Sequence, residues 1–124
     1  MTLLLDTHVF LWWRLDSARL KPPVRRVIAS SDRVLVSVVS AWEAALKRGL
    51  GRLEIAEPFA WMVADSGFAE LALTFTHVEQ FAVLPQHHRD PFDRMLIAQA
   101  RTEAVTVVTH DRQFHGYDVP ILWV

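Results

Sequence analysis

The sequence predicts an α/β protein, a three-layer α/β/α sandwich around a mainly parallel central sheet. Three observations lead there. Short apolar runs rich in β-branched residues alternate along the chain with segments whose apolar residues recur at helical spacing. The runs LLLD, RVLVSVV and AVTVV are continuously apolar, as expected of strands covered on both faces. A length of 124 residues suits one domain, residues 1–124, with a sizeable core and no room for a second.

The elements follow in order. LLLD is the first strand and passes directly into the apolar-periodic HVFLWWRL, read as a helix. LKPPVRRVIASSD, with prolines at its start and a polar stop, predicts a helix from about Val24 to Ser30. RVLVSVV is the second strand. In SAWEAALKRG, Ser40 is expected to cap a helix, Glu43 to complete a capping box and Gly49 to end it. EPFAWMVADSG reads as a helix, FAELAL as a short strand and THVEQFAVL as a short helix before the Pro85 loop. The helix opening at DPFD then leads to the strand AVTVV, a loop and a last strand, PILWV.

Composition narrows the function. Without cysteine there are no disulfides and no thiolate metal sites, and the expected compartment is the cytoplasm. No apolar run reaches the ~18 residues of a membrane span, and Met1 opens directly on LLLD without a basic, cleavable leader, so the chain is expected to be soluble and complete. A hydrophobic content of 52% with five Trp is high for so small a chain. Trp12, Trp13, Trp42 and Trp61 exceed what the core needs and suggest a surface that meets a partner. The net charge of −1 does not favour a polyanion, yet setting four acids aside in a neutralised pocket leaves 13 Lys and Arg against ten Asp and Glu.

Four acids attract attention. Asp6 ends the first strand and Asp111 follows VTVV, so both should emerge at the carboxyl edge of the sheet, where open parallel sheets bind ligands. Glu43 opens the helix after the second strand, near the same edge. Asp93 is harder to place. Connectivity alone puts the start of its helix at the opposite edge unless an irregular crossover intervenes. Its spacing sets it on the inward stripe with Leu96, Ile97, Ala100 and Ala104, away from Arg94 and Arg101, where an unpaired carboxylate costs several kcal/mol. Each acid also has a local structural reading. Asp6 or Thr7 could cap the first helix and Glu43 could pair with Lys47. Asp90 caps the DPFD helix, with Pro91 at its first position and Asp93 reaching back to free N–H groups, and Asp111 could be a turn residue. Together, however, carboxylates at converging strand ends repel unless a cation lies between them, and hard oxygens without cysteine select Mg²⁺ or Mn²⁺.

LLLDTH, SAWEAALK, HRDPFDRMLIAQA and VVTHDRQF, in this order and at these distances, resemble the PIN-domain ribonucleases, specifically the VapC-type toxins of type II toxin–antitoxin pairs, over essentially the whole chain. The resemblance implies a PIN-like sandwich and Mg²⁺- or Mn²⁺-dependent endonucleolytic cleavage of RNA. It implies a catalytic pocket of Asp6, Glu43, Asp93 and Asp111, with Asp6, Asp93 and Asp111 holding metal. Thr109 matches the hydroxyl of the family's T-x-D and would support the carboxylates, as would Thr7, with Asp90 as N-cap or further ligand. A homodimer and a cognate antitoxin are implied partners. The chain departs from many relatives at His8, where Ser or Asn is common. Lys47 and Arg48, on the Glu43 helix, are the first candidates for RNA contacts among Arg14, Arg19, Arg25, Arg26 and Arg52.

Three other classes compete. His87, His88 and Asp90, or His110 with Asp111, could hold a transition metal in a phosphoesterase of another type, although the His87/His88 pair reads as an exposed loop. A phosphoacceptor domain wants an acidic pair after the first strand, which LLLDTH lacks. A silent PIN-like binding module would keep the fold without binding metal.

Overall fold

The computed structural model describes residues 1–124. Its five strands form one parallel sheet in the order β3-β2-β1-β4-β5: β1 (Thr2–Leu5), β2 (Arg33–Ser37), β3 (Ala69–Leu71), β4 (Thr106–Thr109) and β5 (Ile121–Trp123). Six helices accompany them: α1 (Thr7–Arg14), α2 (Pro22–Ser30), α3 (Val38–Gly49), α4 (Phe59–Asp65), α5 (Phe75–Ala82) and α6 (Pro91–Glu103).

The period of the strands divides the core in two. Leu3 and Leu5 of β1 pack with Phe10, Ile28 and Met62 of α1, α2 and α4, while Leu4 between them packs with Ile97 of α6, Leu84 and Phe114 on the other face. Those are the two outer layers of the predicted sandwich. Helix α3 belongs to neither cluster and contacts both α1 and α6, bridging the layers.

Connectivity sets where chemistry can occur. The chain builds β2 and β3 to one side of β1, then returns to add β4 and β5 on the other. Between β1 and β4 the order reverses, and a crevice opens at their carboxyl ends. Asp6 and Asp111 straddle it.

The placement of α6 corrects the expectation from connectivity. Only Ala104 and Val105 separate α6 from β4, so the helix ends at the amino edge of the sheet. Its 13 residues span about 20 Å, and it must therefore begin at the carboxyl edge. A helix feeding the next parallel strand runs antiparallel to it, so Asp93 needs no irregular crossover to reach the crevice. Two boundaries also differ. β2 stops at Ser37, whose hydroxyl accepts the Val39 N–H at 3.0 Å and caps α3, so Ser40 is not the cap and Glu43 forms no capping box. Val38 and Val39 read as strand by propensity, but the Ser37 cap turns the chain into helix first. Helix α2 begins at Pro22, because both prolines fit its first two positions.

Candidate active site

The first acid performs two tasks at once. Asp6 follows β1 and caps α1, its Oδ1 accepting the Val9 N–H at 2.8 Å. Its Oδ2 accepts the Thr109 hydroxyl at 2.5 Å, and the Thr109 oxygen in turn accepts the Asp111 N–H at 3.0 Å. Buried Thr109 thus ties the end of β1 to the end of β4 across the crevice. Asp111 starts a 3₁₀ turn, Arg112–Phe114, where Oδ1 accepts the Gln113 N–H at 2.9 Å and Oδ2 is directed elsewhere.

Glu43 lies in the second turn of α3, buried, and is brought inward by the packing of α3 on α1 and α6. One oxygen pairs with Lys47 Nζ at 2.9 Å, while Oε1 is buried without any partner. Asp90 caps α6, accepting the N–H groups of Phe92 at 2.8 Å and Asp93 at 3.3 Å. The Asp93 carboxylate does not reach back to the helix start. It turns into the crevice.

The electrostatic consequence is plain. Burial, followed by the carboxylates of Asp90, Asp6, Glu43 and Asp111, pushes the Asp93 carboxyl from 3.8 up to about 8. Burial also raises Asp6, opposed by the Thr109 and Val9 hydrogen bonds. The four predicted acids therefore share one field. An orphaned buried oxygen on Glu43, an Asp93 that resists ionisation and a set of hard carboxylate oxygens form a donor set that suits a divalent cation.

Other expected residues fall elsewhere. Thr7 is buried and donates to Ser40 Oγ at 2.9 Å, joining α1 to α3 instead of supporting the carboxylates. Lys47 is committed to Glu43, and exposed Arg48 borders a separate hollow between α3 and α4 with Ala41, Ile55 and Phe59. Arg94, expected on a polar face, is buried with its guanidinium 4.5 Å from the Phe81 ring centre. Trp12 and Trp13 back the core, whereas Trp42 and Trp61 are half exposed.

The sequence pattern alone underrates His88. Expected in an exposed loop, it is buried, with Nε2 3.0 Å from Asp111 Oδ2 and 3.1 Å from Asp93 Oδ2. The three ligand atoms lie within 4.8 Å of one another, close enough for one ion. The hydrogen bonds decide against a nitrogen ligand in this arrangement. Nδ1 accepts the Asp90 N–H at 3.1 Å, so the ring proton resides on Nε2 and is donated to the carboxylates. His88 is further fixed by Tyr117, whose hydroxyl accepts the His88 N–H at 2.9 Å and donates to the Pro85 carbonyl at 2.9 Å. Exposed His87 packs on Tyr117, and exposed His110 donates from Nδ1 to the Val124 carbonyl, so neither histidine group proposed for a transition-metal site assembles. The usable signal was H-x-D-P, in which the ring turns back onto the amide two residues on.

A parallel sheet with a crowded carboxylate crevice at its switch point defines a class, the α/β proteins whose acids converge from strand and helix ends. Within it the family is specific. The PIN-domain family model matches residues 3–120, and the chain belongs to the PIN-domain family. It is 30% identical to Ribonuclease VapC22 of Mycobacterium tuberculosis, over 96% of this chain and 94% of that protein. Among solved structures it superposes on VapBC2 from Rickettsia felis, bound to a promoter DNA fragment, with a TM-score of 0.76 at 13% identity, covering 100% of this chain and 99% of the other. VapBC-1 from nontypeable Haemophilus influenzae gives 0.72 at 16% identity, with 99% and 98% covered.

Proposed function

We propose that the protein is an endoribonuclease dependent on Mg²⁺ or Mn²⁺, acting as the toxin of a toxin–antitoxin pair. The observation that carries this reading is the convergence of Asp6, Glu43, Asp93 and Asp111, with Asp93 held up at about 8 by burial and by its neighbours' charge. Membership of the PIN family and identity to a named ribonuclease over nearly the whole chain supply the activity. The VapBC complexes among the structural neighbours, alike in fold, support the reading of an antitoxin partner.

In this reading Asp6, Asp93 and Asp111 hold the cation and Glu43 completes the catalytic set. A divalent ion there would neutralise the crowded carboxylates, polarise a phosphodiester and lower the pKa of an attacking water. The chain's own residues fix the geometry. Thr109 holds one oxygen of Asp6 and the amide of Asp111, leaving each acid a defined orientation. His88 holds the facing oxygens of Asp93 and Asp111 as a positioning residue, and Asp90 anchors the α6 start that presents Asp93. Lys47 neutralises one oxygen of Glu43 and leaves the buried Oε1 without a partner, able to accept a proton or a water hydrogen bond. The toxin is proposed to work in the cytoplasm as a homodimer; no helix is long and apolar enough to cross a membrane.

The test is RNA cleavage by purified protein with and without EDTA. Cleavage that stops on chelation and returns with Mn²⁺ or Mg²⁺ is expected. Undiminished cleavage in EDTA would remove the metal mechanism, and no cleavage with any divalent ion would leave a silent binding module.

A further inference from the structure

Beside the acids lies a second feature that their chemistry does not use. A cavity of ≈ 470 Å³ opens directly on Asp6 and Asp111, of a size that accepts a small ligand. Its apolar lining is a single residue, Trp12, and its other walls include His8, His110, Arg19 and Arg112. The hollow between α3 and α4 is lined instead by Ala41, Ile55 and Phe59. The two pockets are unlike, one suited to aliphatic side chains and one, at the acids, to a flat ring with negative charge.

The details of the polar cavity fit a nucleotide. Trp12 is anchored from behind by the core, so its indole is held without further ordering cost. Three groups gather around it: the Arg19 guanidinium 5.7 Å from the ring centre, the His110 ring edge-on at 5.7 Å, and the His8 ring at 6.2 Å. His110 is steadied by its donation to the Val124 carbonyl. Arg112 stands one residue beyond Asp111, with its guanidinium 5.8 Å from the Trp123 ring. Aromatic faces joined to cations, with no apolar pocket, are what single-stranded nucleic acid uses for stacking and backbone contact.

We propose that this cavity seats one nucleotide of a single-stranded RNA substrate, its base against Trp12 between His8 and His110, and its phosphate between Arg19 and Arg112, next to the bond presented to Asp6 and Asp111. The proposal rests on the ribonuclease reading and adds to it the residues that seat a nucleotide beside the bond to be cut.

Two measurements test it. Steady-state cleavage of a single-stranded oligoribonucleotide should show KM raised about tenfold or more in Arg19→Ala/Arg112→Ala and in His110→Ala, with kcat changed less than about twofold, whereas Arg101→Ala, exposed near the far end of α6, leaves KM unchanged. The log–log salt slope should fall by about 0.7 for each phosphate that is no longer neutralised. Separately, a tetraribonucleotide titrated into Asp93→Asn should shift the indole N–H resonance of Trp12 and leave that of Trp61 in place. Because Arg19, Arg112 and His110 are exposed, these variants should fold. Unchanged KM in an enzyme that cleaves RNA, or shifts at Trp42 and Trp61 without Trp12, would overturn the subsite and leave the ribonuclease reading standing. Variants that weaken only binding of a protein partner would also overturn it. A wild-type protein that shifts Trp12 with RNA yet never cleaves would sustain the subsite and remove the ribonuclease activity.

Discussion

Helix α6 has a buried histidine at each end, and the two do opposite work with the same local grammar. Near its end, His77 Nδ1 accepts the Thr74 N–H at 3.1 Å, and Nε2 lies 3.0 Å from Glu103. Near its start, His88 Nδ1 accepts the Asp90 N–H and Nε2 faces two carboxylates. The surroundings differ. The network through the His77 ring is closed: Gln99 Nε2 donates toward the Ala72 carbonyl and the His77 ring at 3.3 Å each, and Gln99 Oε1 accepts the Ser37 hydroxyl at 2.5 Å. Around His88 negative charge is in surplus, and an oxygen of Glu43 is left without a partner. A saturated buried network fixes a fold, whereas an unsaturated one awaits a ligand.

The largest effect should come from the surplus end. Asp93→Asn is expected to reduce RNA cleavage by ~10³-fold or more while leaving the fold intact, as assayed by initial rates at saturating Mn²⁺. Stability should move the other way. In metal-free protein the folded Asp93 keeps its proton up to about pH 8, whereas the unfolded chain releases it near 3.8. The folded state therefore loses stability as pH rises from 3.8 to about 8, and the loss levels off above that. Denaturant midpoints in EDTA should show Asp93→Asn more stable than wild type at pH 8, on the order of a few kcal/mol, and converging with it near pH 4. Added Mn²⁺ should narrow the gap by stabilising only the wild type. An equal pH slope in both proteins would mean that Asp93 is not crowded as described.

His88 comes next. His88→Ala should weaken Mn²⁺ affinity by about 10–100-fold, read by calorimetry, because Asp93 and Asp111 lose the donor that sets their facing oxygens. His88→Gln, which retains an N–H donor, should recover part of it. If both substitutions abolish binding alike, the imidazole nitrogen is itself a ligand and its proton does not reside on Nε2. At the other end, His77→Ala should lower unfolding free energy by about 2–3 kcal/mol, since it empties a buried position and opens the Gln99 network, with kcat and Mn²⁺ affinity unchanged.

How much of this was legible in the sequence follows from the same contrast. Asp6 and Asp111 could be placed because strand ends share an edge by topology alone, and the apolar runs LLL and VV announce those strands. Glu43 was placed by the same edge, because its helix opens just after β2; of its two local readings, the Ser40 capping box does not exist and the pair with Lys47 does. Asp93 stands out by periodicity, and the direction of its helix follows from the two-residue link to β4, contrary to the opposite-edge expectation. His88 and His77 were legible only in part. Neighbouring amides, of Asp90 and Thr74, fix Nδ1 as acceptor and so the tautomer, but the carboxylates that meet Nε2, such as Asp111 and Glu103, are brought from elsewhere in the chain. Arg94 was hidden similarly, because its partner Phe81 lies on another helix.

The smallest predicted effect tests whether the two ends of α6 are independent. Ala104, just past the helix, has φ +55°, a left-handed conformation that favours glycine at helix ends. Ala104→Gly should raise stability by about 0.5–1 kcal/mol, measured by urea denaturation. Combined with Asp93→Asn, whose site lies at the far end of a 13-residue helix, the two stability changes should add to within about 0.5 kcal/mol. Combined with His77→Ala, they should not, because Ala104 adjoins Glu103, the carboxylate that His77 holds. Non-additivity with Asp93→Asn would show instead that α6 transmits strain along its length, and the separation between a finished structural end and an unfinished chemical end would have to be abandoned.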